Sequence, residues 1–306
     1  MRDIPLSPVP VSSDGPAYAA ARRTFLTAGL SALQEGAPDT NWVQVNLAPG
    51  PAAWRRTYQA VADTAQELIA SGAVRRFFFM HKPPGLRVRF EACAPDRGRL
   101  RAELTRRFRA LEGQARPPVC GVYEPETYLF GGPLSMRLVH DLFTVDSFAW
   151  LEHHTAATAD GGPAPLADWR LSLVLLGGLL DGLGVVGWEH RGVWEVVRDD
   201  TGRRLGPCPD ESTLRAAAGI LGAWQAGPQA LLGSLSEARR TAVEAHADAV
   251  RRAAGQWRTG YFESGAATIG PRRAAAYYVI FHWNRGRLSL ARQSLLTHAL
   301  AGDGRC

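Results

Sequence analysis

The sequence predicts an α+β protein in which a strand-containing N-terminal part, residues 1–132, packs on a larger and mostly helical part, residues 133–306. Two patterns predict this class. Runs that alternate apolar and polar residues, as strands do, lie before residue 133, whereas apolar residues recur at helical spacing after it. The length of 306 residues and the hydrophobic content of 46% allow one large domain or two smaller ones.

Three strands are predicted in the N-terminal part. Residues 42–48 alternate as a strand would, and residues 74–81 and 86–92 form a hairpin around the turn sequence Pro-Pro-Gly. Helical periodicity precedes the hairpin over residues 54–73 and follows it from 96 to 112. The strands are therefore expected early in the chain, with helices between them.

The second arm of the hairpin carries the first candidate site. Successive strand residues point to opposite faces, so Arg87 and Arg89 project side by side, and we expect His81 to join them from the first arm. Two guanidiniums on one face match a carboxylate, a peptide carbonyl or a developing oxyanion, because each offers several donors in a fixed fork. An exposed strand face that keeps the sheet soluble would carry the same residues.

Helices are predicted through most of the second part of the chain. Candidate helices cover residues 134–154, 166–181, 210–225, 228–256 and 287–301, and periodicity leaves the type of a further element at 271–283 open. The most apolar run, 171–188, is interrupted by Asp181 and by several glycines. This interruption predicts a buried helix that ends near Gly182 rather than a membrane span.

Charge and cysteine content narrow the classes of partner and cofactor. The net charge of +6 favours an acidic partner, which leaves nucleic acid, an acidic peptide and a plain solvated surface open. The four cysteines are too far apart for a zinc pattern and the eight histidines are dispersed, so we expect no metal site. The N-terminal residues contain no apolar signal-peptide core, which predicts a cytoplasmic protein.

A second candidate segment lies between the two parts of the chain. Glu124, Glu126 and Tyr128 precede the glycines at 131 and 132. These residues are compatible with a polar cluster over a tight turn and equally with a plain loop before a helix. The amino-acid sequence of this segment does not distinguish between the two interpretations.

A third candidate segment surrounds His282. This histidine lies in an apolar stretch beside Asn284 and Arg285, where a histidine is more often a packed residue than a catalyst. Tyr277 and Tyr278 would lie about one turn away if the element is helical, which makes the hydroxyl of one of them a candidate hydrogen-bond donor and leaves the other to the core.

Together the three segments identify a family resemblance. Residues 77–90, 122–143 and 277–296 resemble, in sequence and in order, signature blocks of the elimination-domain family. That family is found at the C-terminus of lantibiotic dehydratases and as free-standing thiopeptide biosynthesis proteins. The resemblance implies a single elimination-domain-like domain over 1–306 and a chemistry of proton transfer and hydrogen bonding without a cofactor.

The resemblance also implies roles for individual residues. Arg87 and Arg89 match an active-site strand of the family, and His282 matches a histidine that acts as acid or base. Tyr128 or Tyr277 would donate a hydrogen bond to the reacting peptide. The substrate-binding residues would be His81, Glu124, Asn284 and Arg285.

Two departures from the family pattern indicate which reaction is carried out. Leu129 stands where eliminases have an arginine that serves in glutamate elimination, and Gly85 stands where the family usually has a histidine. Both departures favour the pyridine synthase branch over the split elimination subunit, which removes glutamate from glutamylated Ser or Thr. Outside enzymology, the same fold could be a non-catalytic partner that binds the precursor peptide.

The resulting prediction is a cofactor-independent pyridine synthase. It would join two dehydroalanines of a precursor peptide by a formal aza-[4+2] cycloaddition, with loss of water and leader peptide, to form a pyridine and a macrocycle. The implied partner is a linear, dehydrated, azole-containing precursor peptide with its leader, and neither nucleic acid nor a membrane is expected. A complex with other biosynthetic enzymes is compatible with this interpretation.

Overall fold

The computed structural model describes residues 15–36, 41–93, 96–156, 166–233 and 235–302. The chain divides into two compact units, residues 1–40 and residues 41–306. In the first unit the described element is the helix α1 (Pro16–Gly36). The second unit contains every other element and every candidate site residue.

The second unit is built on a four-stranded antiparallel sheet with the strand order β2-β3-β1-β4. The strands are β1 (Trp42–Pro49), β2 (Val74–Lys82), β3 (Gly85–Ala92) and β4 (Gln114–Gly121). The first three were predicted. Strand β4 was not, because Pro117 and Pro118 are typical of a loop. A proline has no amide hydrogen, but an edge strand such as β4 tolerates that loss.

Ten helices accompany the sheet in the described part of this unit. They are α2 (Trp54–Ala70), α3 (Arg97–Arg109), α4 (Pro133–Ala156), α5 (Asp168–Leu183), α6 (Glu189–Thr201), α7 (Glu211–Gln225), α8 (Pro228–Leu232), α9 (Glu237–Trp257), α10 (Pro271–Arg285) and α11 (Leu290–Ala301). The predicted helix 228–256 is two helices, α8 and α9, because the chain turns at Gly233, where φ is +55°. Helix α6 was not predicted, and the open element at 271–283 is helical.

Helices pack on both faces of the sheet, and α4 contacts both. On one face, Phe79 contacts Tyr58 of α2 and Phe90 contacts Phe108 of α3. On the other face, Phe78 contacts Phe143 of α4, with ring centroids 5.1 Å apart. The predicted α+β class, with strands early and helices late, is confirmed.

Helix α4 also covers the outer edge of β2. The backbone N–H of Phe77 donates to Thr144 Oγ1 and that of Phe79 to Ser147 Oγ, both at 3.3 Å. Unpaired strand amides are costly when buried, so these two hydroxyls replace the neighbouring strand that β2 lacks.

Helix α5 is the buried helix that the apolar run predicted. It ends at Leu183, and a Cβ at Gly182 would lie 2.3 Å from the carbonyl oxygen of Arg251, so α5 and α9 cross with their backbones in close approach. Among the helices described, none is both long and apolar enough to cross a membrane.

Candidate functional site

Arg89 is held at the centre of one sheet face by polar and aromatic contacts. Its Nε donates to Gln44 Oε1 at 2.7 Å, and its guanidinium lies 5.0 Å from the centroid of Phe78 and 4.6 Å from that of Tyr123. The side chain is buried, and the aromatic rings hold it by cation–π attraction. Arg89 is therefore fixed in place before any ligand binds.

The charge of Arg89 is not neutralised by a neighbouring carboxylate. Burial lowers the pKa of Arg89 to about 10, and the charges of Arg87 and Arg285 act in the same direction, whereas Tyr123 and Glu126 oppose them. Within the described ranges, neither Arg87 nor Arg89 forms an ion pair or a hydrogen bond with an acidic side chain. The face is thus suited to an anion or a polarised carbonyl.

His81 does not join these arginines, contrary to the prediction. It pairs with Leu86 across the hairpin, whereas Arg89 pairs with Phe78, so His81 lies on the opposite face of the sheet. The hairpin turn contains two residues rather than three, because Lys82 pairs with Gly85. A shift of one residue transfers a side chain to the other face.

His81 instead joins the sheet to the C-terminus of α10. Its Nδ1–H donates to the backbone oxygen of Asn284 at 2.9 Å, and its Nε2 accepts from the hydroxyl of Tyr58 at 2.7 Å. Burial lowers the pKa of His81 to about 3, and the neighbouring His154 adds to the shift. The imidazole is therefore neutral at pH 7, and it holds the end of the helix that carries His282.

The second polar cluster is fully buried between α4, α5 and α10. Asp146 Oδ1 lies 2.8 Å from Nδ1 of His282, and its Oδ2 accepts from Nε of Arg285 at 2.6 Å. On the other side of the imidazole, Nε2 of His282 lies 3.0 Å from Ser172 Oγ. None of the Asp146, His282 and Arg285 side chains has exposed surface.

The guanidinium of Arg285 is only partly satisfied by the protein. Its Nη1 and Nη2 are buried and form no hydrogen bond of good geometry, and the neighbouring Tyr278 hydroxyl interacts with both Arg285 and Asp146. The guanidinium lies 4.4 Å from the centroid of Phe143, whose ring also contacts Phe78 beneath Arg89. Arg285 therefore connects the buried cluster to the arginine face of the sheet.

The remaining predicted residues lie apart from these clusters. Tyr128 is 93% exposed and Glu124 is exposed on the same segment. The hydroxyl of Tyr277 donates to Asp200 Oδ2 at 3.1 Å and accepts from Nε of Arg273. The structure thus places Arg87 and Arg89 on one sheet face and His282 and Arg285 in the buried cluster beside it, with Tyr128 and Tyr277 outside both.

Four polar residues at the site escaped the sequence analysis as site residues: Gln44, Tyr123, Asp146 and Ser172. Asp146 could have been found, because it is an acid within the otherwise apolar sequence FTVDSFAW of a predicted helix. The hydroxyl of Tyr123 bonds His140 Nε2 at 2.7 Å, and no sequence pattern predicts that long-range pair.

The two departures at residues 85 and 129 have different structural settings. A Cβ at Gly85 would lie 2.1 Å from the carbonyl oxygen of Leu47, so this backbone leaves no room for a histidine there. Leu129 is half-buried and packs against the apolar core. In the part of the chain that the structure describes, no three His, Cys, Asp or Glu residues are grouped to hold a metal ion.

Comparison with known proteins identifies a family to which most of the chain is similar. A family model described as the C-terminal part of lantibiotic biosynthesis dehydratases matches residues 42–302. The tRNA-dependent lantibiotic dehydratase MibB from Microbispora sp. 107891 is similar in structure, with a TM-score of 0.59 and 20% identity over 85% of this chain. That alignment covers 27% of MibB, so the chain spans about a quarter of that protein.

A second solved structure, TsrL, aligns with a TM-score of 0.45 and 15% identity, over 85% of this chain and 92% of TsrL. No curated protein matches the chain. At these identities the structural likeness concerns the fold, and the family match rests on the sequence of residues 42–302.

Proposed function

The chain belongs to the family of lantibiotic biosynthesis dehydratase C-terminal domains, and from this premise we propose that it is a pyridine synthase of thiopeptide biosynthesis. Two dehydroalanines of one precursor peptide would react in a formal aza-[4+2] cycloaddition, in which an amide in its imidic form completes the 2-azadiene. Loss of water and then of the leader peptide as an amide makes the ring aromatic. No oxidant is needed, because both steps are eliminations.

The observation that carries the proposal is the apolar residue at position 129. Eliminases of the family have an arginine there, which serves in the loss of glutamate. Leu129 has no charge and packs against the apolar core. A glutamate leaving group would therefore lack the cation that holds its carboxylate, whereas two alkenes and an amide need no such group.

The arginine face supplies what the cycloaddition requires. Arg87 and Arg89 have no carboxylate partner among the described residues, so their guanidiniums are free to donate to an amide oxygen of the peptide. Donation to that oxygen stabilises the imidic form and the charge that develops during ring closure. Holding both alkenes over one rigid face supplies the remaining acceleration by proximity.

The other site residues have supporting roles in the proposal. Glu124 and Tyr128 line the exposed segment before α4, where they would contact the bound peptide. His81 acts through the backbone of Asn284 and so positions α10 rather than touching substrate. We assign no substrate contact to Tyr277, because its hydroxyl is bonded to Asp200 and Arg273.

His282 is the proposed proton-transfer group. Both of its ring nitrogens have partners and the ring has no exposed surface. Proton transfer to a peptide therefore requires that α5 or α10 moves when substrate binds. Arg285 and Asn284 lie on the same helix and would move with it.

The experiment that tests the proposal uses two leader-bearing peptides, one with two dehydroalanines and one with glutamylated serines. Mass spectrometry should show release of the leader and formation of a pyridine macrocycle from the first peptide only. Arg89→Met should lower the rate of formation of this product about 100-fold, while Arg101→Met, which removes an exposed arginine on α3, should leave it unchanged. Glutamate loss from the second peptide alone would contradict the proposal and favour a split eliminase.

The eliminase remains the second candidate, because unpartnered guanidiniums also fit a glutamate carboxylate. Leu129→Arg separates the two reactions. If the protein is a pyridine synthase, Leu129→Arg should either leave the glutamylated peptide unreacted or cause a slow loss of glutamate that the parent protein does not catalyse. Binding of both peptides without turnover of either would support a non-catalytic partner of the precursor peptide.

A further inference from the structure

Asp146 is the common partner of both functional side chains on α10. Its two carboxylate oxygens accept from two different residues, Oδ1 from His282 and Oδ2 from Arg285. A single buried carboxylate therefore sets the orientation of the imidazole and of the guanidinium at once. Neither the resemblance nor the family match assigns a role to this residue.

The contacts of His282 Nδ1 decide which tautomer is present. This nitrogen lies 2.8 Å from the Asp146 carboxylate, which can only accept, and 3.3 Å from Nε1–H of Trp150, which can only donate. Nδ1 cannot serve both. The shorter, charge-assisted contact dominates, so Nδ1 carries the proton and points it at Asp146.

The carboxylate remains ionised in this setting. Burial alone would raise the pKa of Asp146, but its contacts with His282 and Arg285 outweigh burial and lower it. The opposite nitrogen, Nε2, faces the hydroxyl of Ser172, whose oxygen also accepts from Nε1–H of Trp283 at 3.1 Å. The Ser172 proton is thus directed at Nε2, which keeps the basic lone pair.

Arg285 shows the second effect of Asp146. With Nε committed to the carboxylate, Nη1 and Nη2 have no hydrogen bond of good geometry, and the hydroxyl beside them, that of Tyr278, is also drawn to Asp146. Buried donors without acceptors are rare in folded proteins because each costs free energy. Their clustering indicates that an oxygen of a ligand completes the site.

We propose that Asp146 is the positioning residue of this site: it fixes the Nδ1–H tautomer of His282 and aims the Nη1 and Nη2 nitrogens of Arg285 at a carbonyl or carboxylate oxygen of the substrate. This inference rests on the proposed function for the identity of the substrate. The tautomer and the side-chain orientation can be measured without it.

The first test is a long-range ¹H–¹⁵N spectrum of the full chain labelled at histidine nitrogens, with His282→Gln to assign the signals. The protonated nitrogen of His282 should be Nδ1. Asp146→Asn replaces one of the two carboxylate oxygens with an NH₂ group. Either His282 or Arg285 then faces a donor in place of its acceptor. We expect the neutral imidazole to switch to the Nε2–H tautomer. A wild-type spectrum with a bare Nδ1 that accepts from Trp150 would overturn the proposal.

The second test is kinetic and uses whichever peptide the protein converts. Asp146→Asn should lower kcat about 100-fold or more, with KM changed less than about 3-fold, because a lost tautomer affects proton transfer more than binding. Asp141→Asn is the matched control. It removes another α4 aspartate that pairs with an arginine, Arg76, outside the site, and it should leave kcat unchanged.

The outcomes of the two tests separate the inference from the proposed function. If neither peptide reacts, the proposed function fails, and the tautomer spectra of the wild type and of Asp146→Asn still decide the inference. If Asp146→Asn does not fold, the wild-type spectrum decides it. A switched tautomer with kcat within about 3-fold of the parent would overturn the positioning role.

Discussion

The two arginine sites of this protein share aromatic support but differ in whether a carboxylate pairs with the charge. On the sheet face, Arg89 is held by aromatic rings and an amide, and its charge has no carboxylate partner among the described residues. Between the helices, Arg285 is completely buried and bonded to Asp146. Both guanidiniums lie over aromatic rings, so the difference lies in Asp146: Arg89 keeps its charge available for a ligand, whereas part of the charge of Arg285 is used to stabilise the fold.

The largest predicted effect concerns the buried site. Asp146→Ala leaves the Arg285 guanidinium and the Nδ1–H of His282 without their shared acceptor in the buried interior, so the free energy of unfolding should fall by about 3–5 kcal/mol. Asp141→Ala, at the partly exposed pair with Arg76, should cost about 1 kcal/mol or less. Urea unfolding followed by circular dichroism measures both. Equal losses for the two variants would remove the distinction between the sites.

On the sheet face, the substitution is predicted to lower activity much more than stability. Arg89→Met keeps much of the packing against Phe78 and Tyr123 but removes the charge, so pyridine formation should fall about 100-fold. The free energy of unfolding should change by about 1 kcal/mol or less, which is the range of a single cation–π contact. A variant that lost stability and activity in the same proportion would show that Arg89 serves the fold.

The pH dependence of the free energy of unfolding tests two buried histidines, one beside each arginine site. Burial lowers the pKa of His140, beneath Tyr123, to about 3, and that of His81, at the end of α10, to about 3. Both are neutral in the folded state and become protonated in the unfolded state below about pH 6.5. Their contribution to stability is complete above pH 6.5 and is lost as the pH falls towards 3.

Between pH 6 and pH 4.5 each of these histidines should lower the free energy of unfolding by about 1.4 kcal/mol per pH unit. His140→Gln keeps an acceptor for the Tyr123 hydroxyl, so it should reduce this slope by about one proton without removing the contact. Urea midpoints measured across the window give the slope. A slope unchanged in both His140→Gln and His81→Gln would show that neither histidine is neutral in the folded protein.

The smallest effects are predicted for the two tyrosines outside the clusters. Tyr277→Phe removes hydrogen bonds to Asp200 and Arg273 on the α6 side of α10, and turnover should stay within about 3-fold of the parent. Tyr128→Phe should raise KM more than it lowers kcat, because an exposed ring at the segment before α4 can contact peptide only on binding. A 10-fold loss of kcat in Tyr277→Phe would extend the site towards α6.

The fold could be predicted from sequence wherever local periodicity determined the structure. The hairpin, β1 and most helices follow from alternation and helical spacing. Strand β4 was missed because its prolines suit an edge strand and a loop equally. Helix α6 was missed because it follows a glycine-rich turn, and the split at Gly233 was missed because apolar periodicity continues across it.

The site was less predictable, because its contacts join distant segments. The shared face of Arg87 and Arg89 follows from strand alternation, whereas the face of His81 depends on whether the turn has two or three residues. Asp146 lies 136 positions before His282, and no local pattern reveals that pair. The charge on an apolar helix face was the one available signal.

The two hydroxyls that α4 places along β2 have a consequence for how peptides meet this protein. Thr144 and Ser147 occupy the amides through which a stray extended chain would otherwise extend the sheet. With that edge covered, β4 is the edge of the sheet that remains for strand pairing, and Pro117 and Pro118 remove two of its amide donors.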